Sequence, residues 1–257
     1  MLLVVDVGNT NVVFAVYDGE NQRGLWRCHT DSARTADEYV AFLSQHFELK
    51  NLKISDIHDV IVSSVVPDAD FAIEKMAMDG FGQKPIFVGR DTGDIGVGIK
   101  IDRPSELGAD RLVNTFAVRQ EYGCPAIVID FGTATTFDVV DEAGAFAGGA
   151  IAPGPNLSME ALYMAAAKLP RVGVEKPQKA MAKNTVEAMR VGVYWGYVGL
   201  IEKILAKTIA EMPSKPKVIA TGGLAGLFKS DIPAIDHIDD NLTLKGLLGI
   251  YQHLKNK

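Results

Sequence analysis

Cysteine is scarce in this chain of 257 residues, which holds only Cys28 and Cys124, far apart and in no metal-ligand spacing. A disulfide framework or a zinc site is therefore not expected, and both residues read as buried thiols in a reducing cytoplasm. Histidine offers no centre either, because His29, His46, His58, His237 and His253 are scattered. No apolar run approaches the roughly 18 residues of a membrane span. No basic start precedes an apolar core at the N-terminus, so no signal peptide is expected. Positive charge is in short supply: the net charge is −6, and no basic block exceeds the Lys255-Asn256-Lys257 end. Nucleic acid and anionic membranes are poor partners for such a chain. The G-x-S-x-G elbow of esterases is absent. The Walker phosphate loop is absent too, since "GDIGVG" at 93–98 lacks its lysine and hydroxyl.

What is present is a repeat. "VVDVGNTNVVFAV" (4–16) and "VIDFGTATTFDVV" (128–140) both run apolar strand, Asp-x-Gly turn, apolar strand. Asp6 aligns with Asp130, Gly8 with Gly132 and Thr10 with Ala134. A third strand follows each pair, "LWRCHT" in the first half and the stretch ending "GAFAGGAI" in the second. "TADEYVAFLSQHF" predicts a helix with a Thr35–Glu38 capping box and an apolar stripe of Val40, Leu43 and Phe47. "DVIVSSVVP" predicts a buried strand, and "KVIATGGLAGLF" holds the equivalent place later. Two strand-turn-strand units, each followed by helix and strand, imply a duplicated α/β fold, with halves at 1–118 and 119–257.

The doubled turn suits phosphate binding. Glycine lets a ligand approach the backbone, and backbone N–H groups with Asn9, Thr10 and Asn11 can cradle phosphate oxygens. An aspartate at a strand end can hold a hydrated Mg²⁺. "ELGADRL" (106–112) is a second candidate: Ser105 is expected to cap a helix running to about Gln120, with Asp110 and Arg111 in its first turns. A capping role and a surface charge are the plain alternatives for these two residues. "NTVEAMRVGVYWGYVGLIE" predicts a helix from Asn184, with Glu187 at capping-box spacing. Gly192 and Gly196 share a face there, for either an internal helix crossing or a subunit interface beside Tyr194, Trp195 and Tyr197.

Taken in order, "DVGNTN" (6–11), "SSVVP" (63–67), "GADR" (108–111), "DFGTATT" (130–136), "GGAIAPG" (148–154), "AAKLPRV" (166–172), "NT" (184–185) and "ATGGLA" (220–225) resemble the type III pantothenate kinases over nearly the whole chain. That family falls in the acetate and sugar kinase and actin-like ATPase superfamily. The resemblance implies two actin-like (ribonuclease H-like) domains with a nucleotide cleft between them. It implies ATP-dependent phosphorylation of pantothenate to 4'-phosphopantothenate, the first step of coenzyme A biosynthesis. ATP would be bound by Asp6, Val7, Gly8, Asn9, Thr10, Asn11, Val12 and Val13, with Asp6 near Mg²⁺ through water, and by Thr133. Asp130 would hold a monovalent cation, K⁺ or NH₄⁺. Pantothenate would meet Gly108, Ala109, Asp110, Arg111 and Thr185, with Asp110 as general base. A cytoplasmic homodimer is implied, with the substrate site close to the interface. Ile101 stands where the family often carries Tyr. Two other functions share the fold, a sugar kinase and a non-catalytic ATP switch. A switch does not need the base that Asp110 offers.

Overall fold

The apolar run that precedes Asp6 forms β1 (Leu2–Val7), and the turn after it folds β2 (Asn11–Asp18) back antiparallel. The computed structural model describes residues 1–257 and divides into two units. The first holds residues 1–97, 103–117 and 242–257; the second holds 98–102 and 118–241.

In the first unit, β3 (Asn21–His29) pairs antiparallel with β2 on one side of the sheet. On the other side β4 (Asp59–Ser64) and then β5 (Ile86–Phe87) add in parallel, so the sheet order is β3-β2-β1-β4-β5. In the second unit, β6 (Ala126–Phe131), β7 (Ala134–Val140), β8 (Phe146–Pro153), β9 (Lys217–Thr221) and β10 (His237–Ile238) give β8-β7-β6-β9-β10. The directions repeat as well: two antiparallel pairings, then two parallel ones. The duplication expected from the two turns is therefore a duplication of whole sheets.

Alternate residues of β1 and β2 build the core of the first unit. Leu3, Val5, Val7, Val12, Phe14 and Val16 pack under α1 (Ala36–Leu49) and α2 (Pro67–Lys75). Helix α1 starts where the capping box predicts: Glu38 N–H donates to Thr35 Oγ1, and Thr35 N–H donates to Glu38 Oε2 at 2.7 Å. Such a cap stabilises by about 1 kcal/mol. Tyr39, Leu43 and Phe47 form the buried stripe, while Val40 is only partly covered.

The opposite face of this sheet is closed by α7 (Leu242–Lys255), which contacts β1 and β4. Tyr251 donates to the Asp59 carboxylate at 2.7 Å, and Lys255 pairs with it at 3.2 Å. Helix α3 (Ala109–Glu121) crosses α7 at close range, because a Cβ on Gly246 would stand 2.6 Å from the Val113 carbonyl. The expected half 119–257 thus departs from the observed units: its last helix packs on the first sheet.

In the second unit Ile127, Ile129, Phe131 and Phe137 pack against α5 (Thr185–Glu211) and against Phe228 of α6 (Ala225–Phe228). Tyr194 and Tyr197 belong to this core rather than to an exposed face. Tyr194 stacks on Phe228 at 5.1 Å and its hydroxyl donates to Leu227 O at 3.1 Å. Helix α4 (Pro155–Ala165) packs on α5. No helix is long and apolar enough to cross a membrane. Cys28 and Cys124 are free thiols and half-buried rather than buried, and partial burial pushes both thiol pKa values up.

Candidate active site

The first turn is held from inside and outside. Gly8 N–H donates to Asn11 O at 3.0 Å across the turn. Thr30, just past β3, donates its hydroxyl to Gly8 O at 2.6 Å and its N–H to Thr10 O at 2.9 Å. Asn9, Thr10 and Asn11 are exposed at the tip of the turn. Val7 and Val12 point into the core, which leaves only their backbone to meet a ligand.

The second turn is tighter. Asp6 pairs with Val13 and Asp130 with Thr136, so one residue fewer lies between the paired positions. Gly132 N–H donates to Ala134 O at 3.1 Å. Asn11, not Thr10, is therefore the counterpart of Ala134, and the extra residue sits in the first turn.

Two glycines crowd this second turn. Gly154 N–H donates to Thr133 O at 2.9 Å, and a Cβ there would lie 2.3 Å from Thr133 O. Gly222 has φ +89°, and a Cβ there would lie 2.6 Å from Asp130 Oδ1. Tyr197 braces the same place from α5, donating to the Pro153 carbonyl with Thr135 Oγ1 3.1 Å away. Gly154 and Gly222 lie in the motifs "GGAIAPG" and "ATGGLA", so their signal was on the sequence; Thr30 carried none.

The Asp130 carboxylate is a hard oxygen donor, of the kind that suits a hard cation. No group of three or more His, Cys, Asp or Glu side chains clusters anywhere as a metal site. Asp130 would thus be the acidic side chain of any cation held at this turn.

The third feature is the start of α3. Ser105 does not cap it; that residue lies in a separate short turn, Pro104–Glu106, and the helix begins at Ala109. Arg111 N–H donates to Asp110 Oδ1 at 2.7 Å. Burial pushes the Asp110 carboxyl pKa up, against the lowering effect of that N–H and of the Arg111 charge. Gly108 makes room for it, since a Cβ would stand 2.6 Å from Asp110 Oδ1 and 3.6 Å from Val65 Cγ1. Val65 N–H in turn donates to Val7 O at 3.0 Å. Residues 6–13 and 108–111, a hundred positions apart, are brought together through the end of β4.

Asp130 and Thr133 lie on the second unit's turn. Thr185 is the first residue of α5, after the Asn184 cap that accepts from Glu187 N–H at 2.9 Å. Glu187 completes no capping box; its carboxylate pairs with Arg190 at 2.9 Å.

The model of the type III pantothenate kinases matches residues 2–207. The chain belongs to that family. A type III pantothenate kinase of Rhodospirillum rubrum is 52% identical over 252 residues, 98% of each chain. One of Phenylobacterium zucineum is 49% identical over 257 residues, the full length of both. Solved structures at low identity carry the same fold. A conserved putative Baf family transcriptional activator from Campylobacter jejuni aligns over 99% of this chain and 100% of its own, with TM-score 0.64 and 18% identity. A putative 2-dehydro-3-deoxygalactonokinase from Sinorhizobium meliloti aligns over 98% and 96%, with TM-score 0.59 and 12% identity. These likenesses show the fold, and the family rests on the match over residues 2–207 and on the relatives near 50% identity.

Proposed function

We propose that this enzyme transfers the γ-phosphoryl group of ATP to the primary hydroxyl of pantothenate with Asp110 as the general base. The overall reaction, ATP-dependent phosphorylation of pantothenate in coenzyme A biosynthesis, follows from membership of the family. The observation that supports the assignment of roles is the Val7–Val65–Gly108 link, which sets a partly buried carboxylate beside the phosphate-binding turn.

Phosphoryl transfer needs positioning, charge stabilisation and a group to accept the hydroxyl proton. Residues 6–13 would bind the ATP phosphates, Asp6 would hold the hydrated Mg²⁺ that offsets their charge, and Thr133 would contact ATP as well. Gly108, Ala109, Asp110, Arg111 and Thr185 bind pantothenate, and Arg111 orients its carboxylate. Asp110 takes the proton from the attacking hydroxyl. Asp130 would hold a monovalent cation, which would supply the positive charge that a Walker lysine supplies elsewhere. The work takes place in a reducing cytoplasm, which keeps Cys28 and Cys124 as thiols. The test of the whole reading is ATP turnover against pantothenate, pantetheine and common sugars; turnover independent of pantothenate overturns it.

The cation has its own test. Phosphorylation should be fast in potassium or ammonium and slow in sodium or Tris alone. Equal rates in all four buffers remove the role of Asp130.

We further propose a homodimer packed through α5. A Cβ on Gly192, Gly196 or Gly199 would meet nothing within 4 Å in this chain, so no internal crossing explains these glycines. Trp195 lies on the same open side, 38% exposed. Leucine is the better helix former by about 1 kcal/mol, so Gly192→Leu should stabilise an isolated protomer. At a close helix contact it overpacks instead. Sedimentation of Gly192→Leu should therefore show monomer with activity lost; a dimeric, active variant sinks the interface.

A further inference from the structure

Each unit sets a hydroxyl beside its turn aspartate. On β4, Ser63 pairs with Asp6; on β9, Thr221 pairs with Asp130. Parallel neighbours in register project their side chains to the same face of a sheet. Hydroxyl and carboxylate therefore stand side by side in both units. The bond from Tyr251 on α7 to Asp59 identifies that face in the first unit, because Asp59, Ile61 and Ser63 alternate along one side of β4.

Ser63 is fully buried, and its hydroxyl makes no hydrogen bond within the protein. Ser64 next to it is satisfied, donating to the Asp70 carboxylate and accepting from Val66 N–H at 3.2 Å. An unpartnered buried hydroxyl destabilises the fold, and alanine would fill the same place without that cost. Packing alone thus gives no reason for serine there. Its surroundings do: Asp6 beside it, and Val65 two residues on, against the start of α3.

We propose that the Ser63 hydroxyl is held as a hydrogen-bond partner for the oxygens of Mg·ATP that gather at Asp6. It donates to a phosphoryl oxygen or accepts from a magnesium-bound water. Thr221 repeats the arrangement at Asp130. The proposal rests on the reading of residues 6–13 as the phosphate site.

Calorimetric titration with the imido analogue of ATP tests it, on the parent, Ser63→Ala and Ser63→Cys, each with Mg²⁺ and with EDTA. Cysteine keeps the side chain's place but bonds poorly. Both variants should bind the magnesium complex about ten- to a hundredfold more weakly, the loss of one hydrogen bond to a charged group. The ligand-free melting temperature of Ser63→Ala should equal or exceed the parent's. A loss that persists in EDTA identifies a phosphoryl oxygen; a loss confined to Mg²⁺ identifies the metal's water; both support the proposal. Affinities within about twofold of a parent that binds overturn it, since a hydrogen bond to charge is worth more. Lower melting temperatures with unchanged affinity make Ser63 a packing residue and overturn it equally. A parent that does not bind the analogue removes the phosphate site itself, and the proposal with it.

Discussion

Asp110→Asn should lower kcat by roughly 10²- to 10⁴-fold, the usual contribution of a general base. The substitution keeps size and keeps Oδ1, which accepts from Arg111 N–H at 2.7 Å. It removes the proton acceptor together with its negative charge. Affinity for ATP should change little, because the phosphates sit on residues 6–13. Stability supplies the second readout. Burial raises the folded-state pKa of Asp110 above its ordinary value. A carboxyl with a raised pKa favours folding below its unfolded pKa, and that contribution is lost as pH rises through the folded pKa. Above that folded pKa the ionised, partly buried side chain weighs against the fold. Asp110→Asn should melt at or above the parent temperature at neutral pH, with the gap closing in acid. A helix-start role predicts the reverse: a loss of about 0.3–1 kcal/mol and nearly normal turnover. The same raised pKa places the acid limb of the kcat/KM profile above the range of an exposed aspartate. Turnover of the Asn variant within a few-fold of the parent would falsify the catalytic role.

Gly222→Ala should be nearly as damaging, by a different route. Its φ of +89° disfavours any side chain, and the new Cβ would stand 2.7 Å from Phe131 N as well as 2.6 Å from Asp130 Oδ1. Backbone cannot yield there as a flexible side chain would. The strain should cost about 1–3 kcal/mol, and Asp130 should be pushed out of place. Melting should fall by several degrees, and the rate should no longer distinguish potassium from sodium. Gly223→Ala is the control, because a Cβ at that position meets nothing within 4 Å and its φ is not positive. It should melt like the parent. If the two alanine variants melt alike and both retain the potassium response, the close approach at Gly222 is unimportant.

The elements that could be read from the sequence were those whose signal is local. β1, β6 and their turns stood out because an apolar run ends at Asp-x-Gly twice. Thr35 and Glu38 announced α1 because a capping box needs only residues three apart. What escaped depended on partners distant in the chain. Tyr194 and Tyr197 looked like interface aromatics until Phe228, Leu227 and Pro153 were seen to hold them. Ser105 had the composition of a cap, yet Pro104–Glu106 closes its own turn first. The extra residue in the first turn was invisible because a simple offset aligned both aspartates and both glycines. Of the candidate site, motifs marked Asp6, Asp110 and Asp130 as candidates and "SSVVP" contained Val65, while the contacts that Thr30 and Val65 make were not legible. Both act through partners distant in the chain, Thr30 on Gly8 and Thr10 and Val65 on Val7.

The return of α7 to the first sheet bears on how the protein is made. Leu2 and Val4 of β1 leave the ribosome long before the helix over that face, which comes from residues 242–255. One side of the sheet must wait, apolar and uncovered, while the entire second unit is synthesised. The second unit has its own strands and helices in one unbroken stretch from 118 to 241 and can close earlier. Assembly in the cell therefore runs against the order of translation: the unit begun first is finished last. During that interval the β1–β4 face is a surface for holding chaperones to cover, and ribosomes stalled before residue 242 would leave it permanently open.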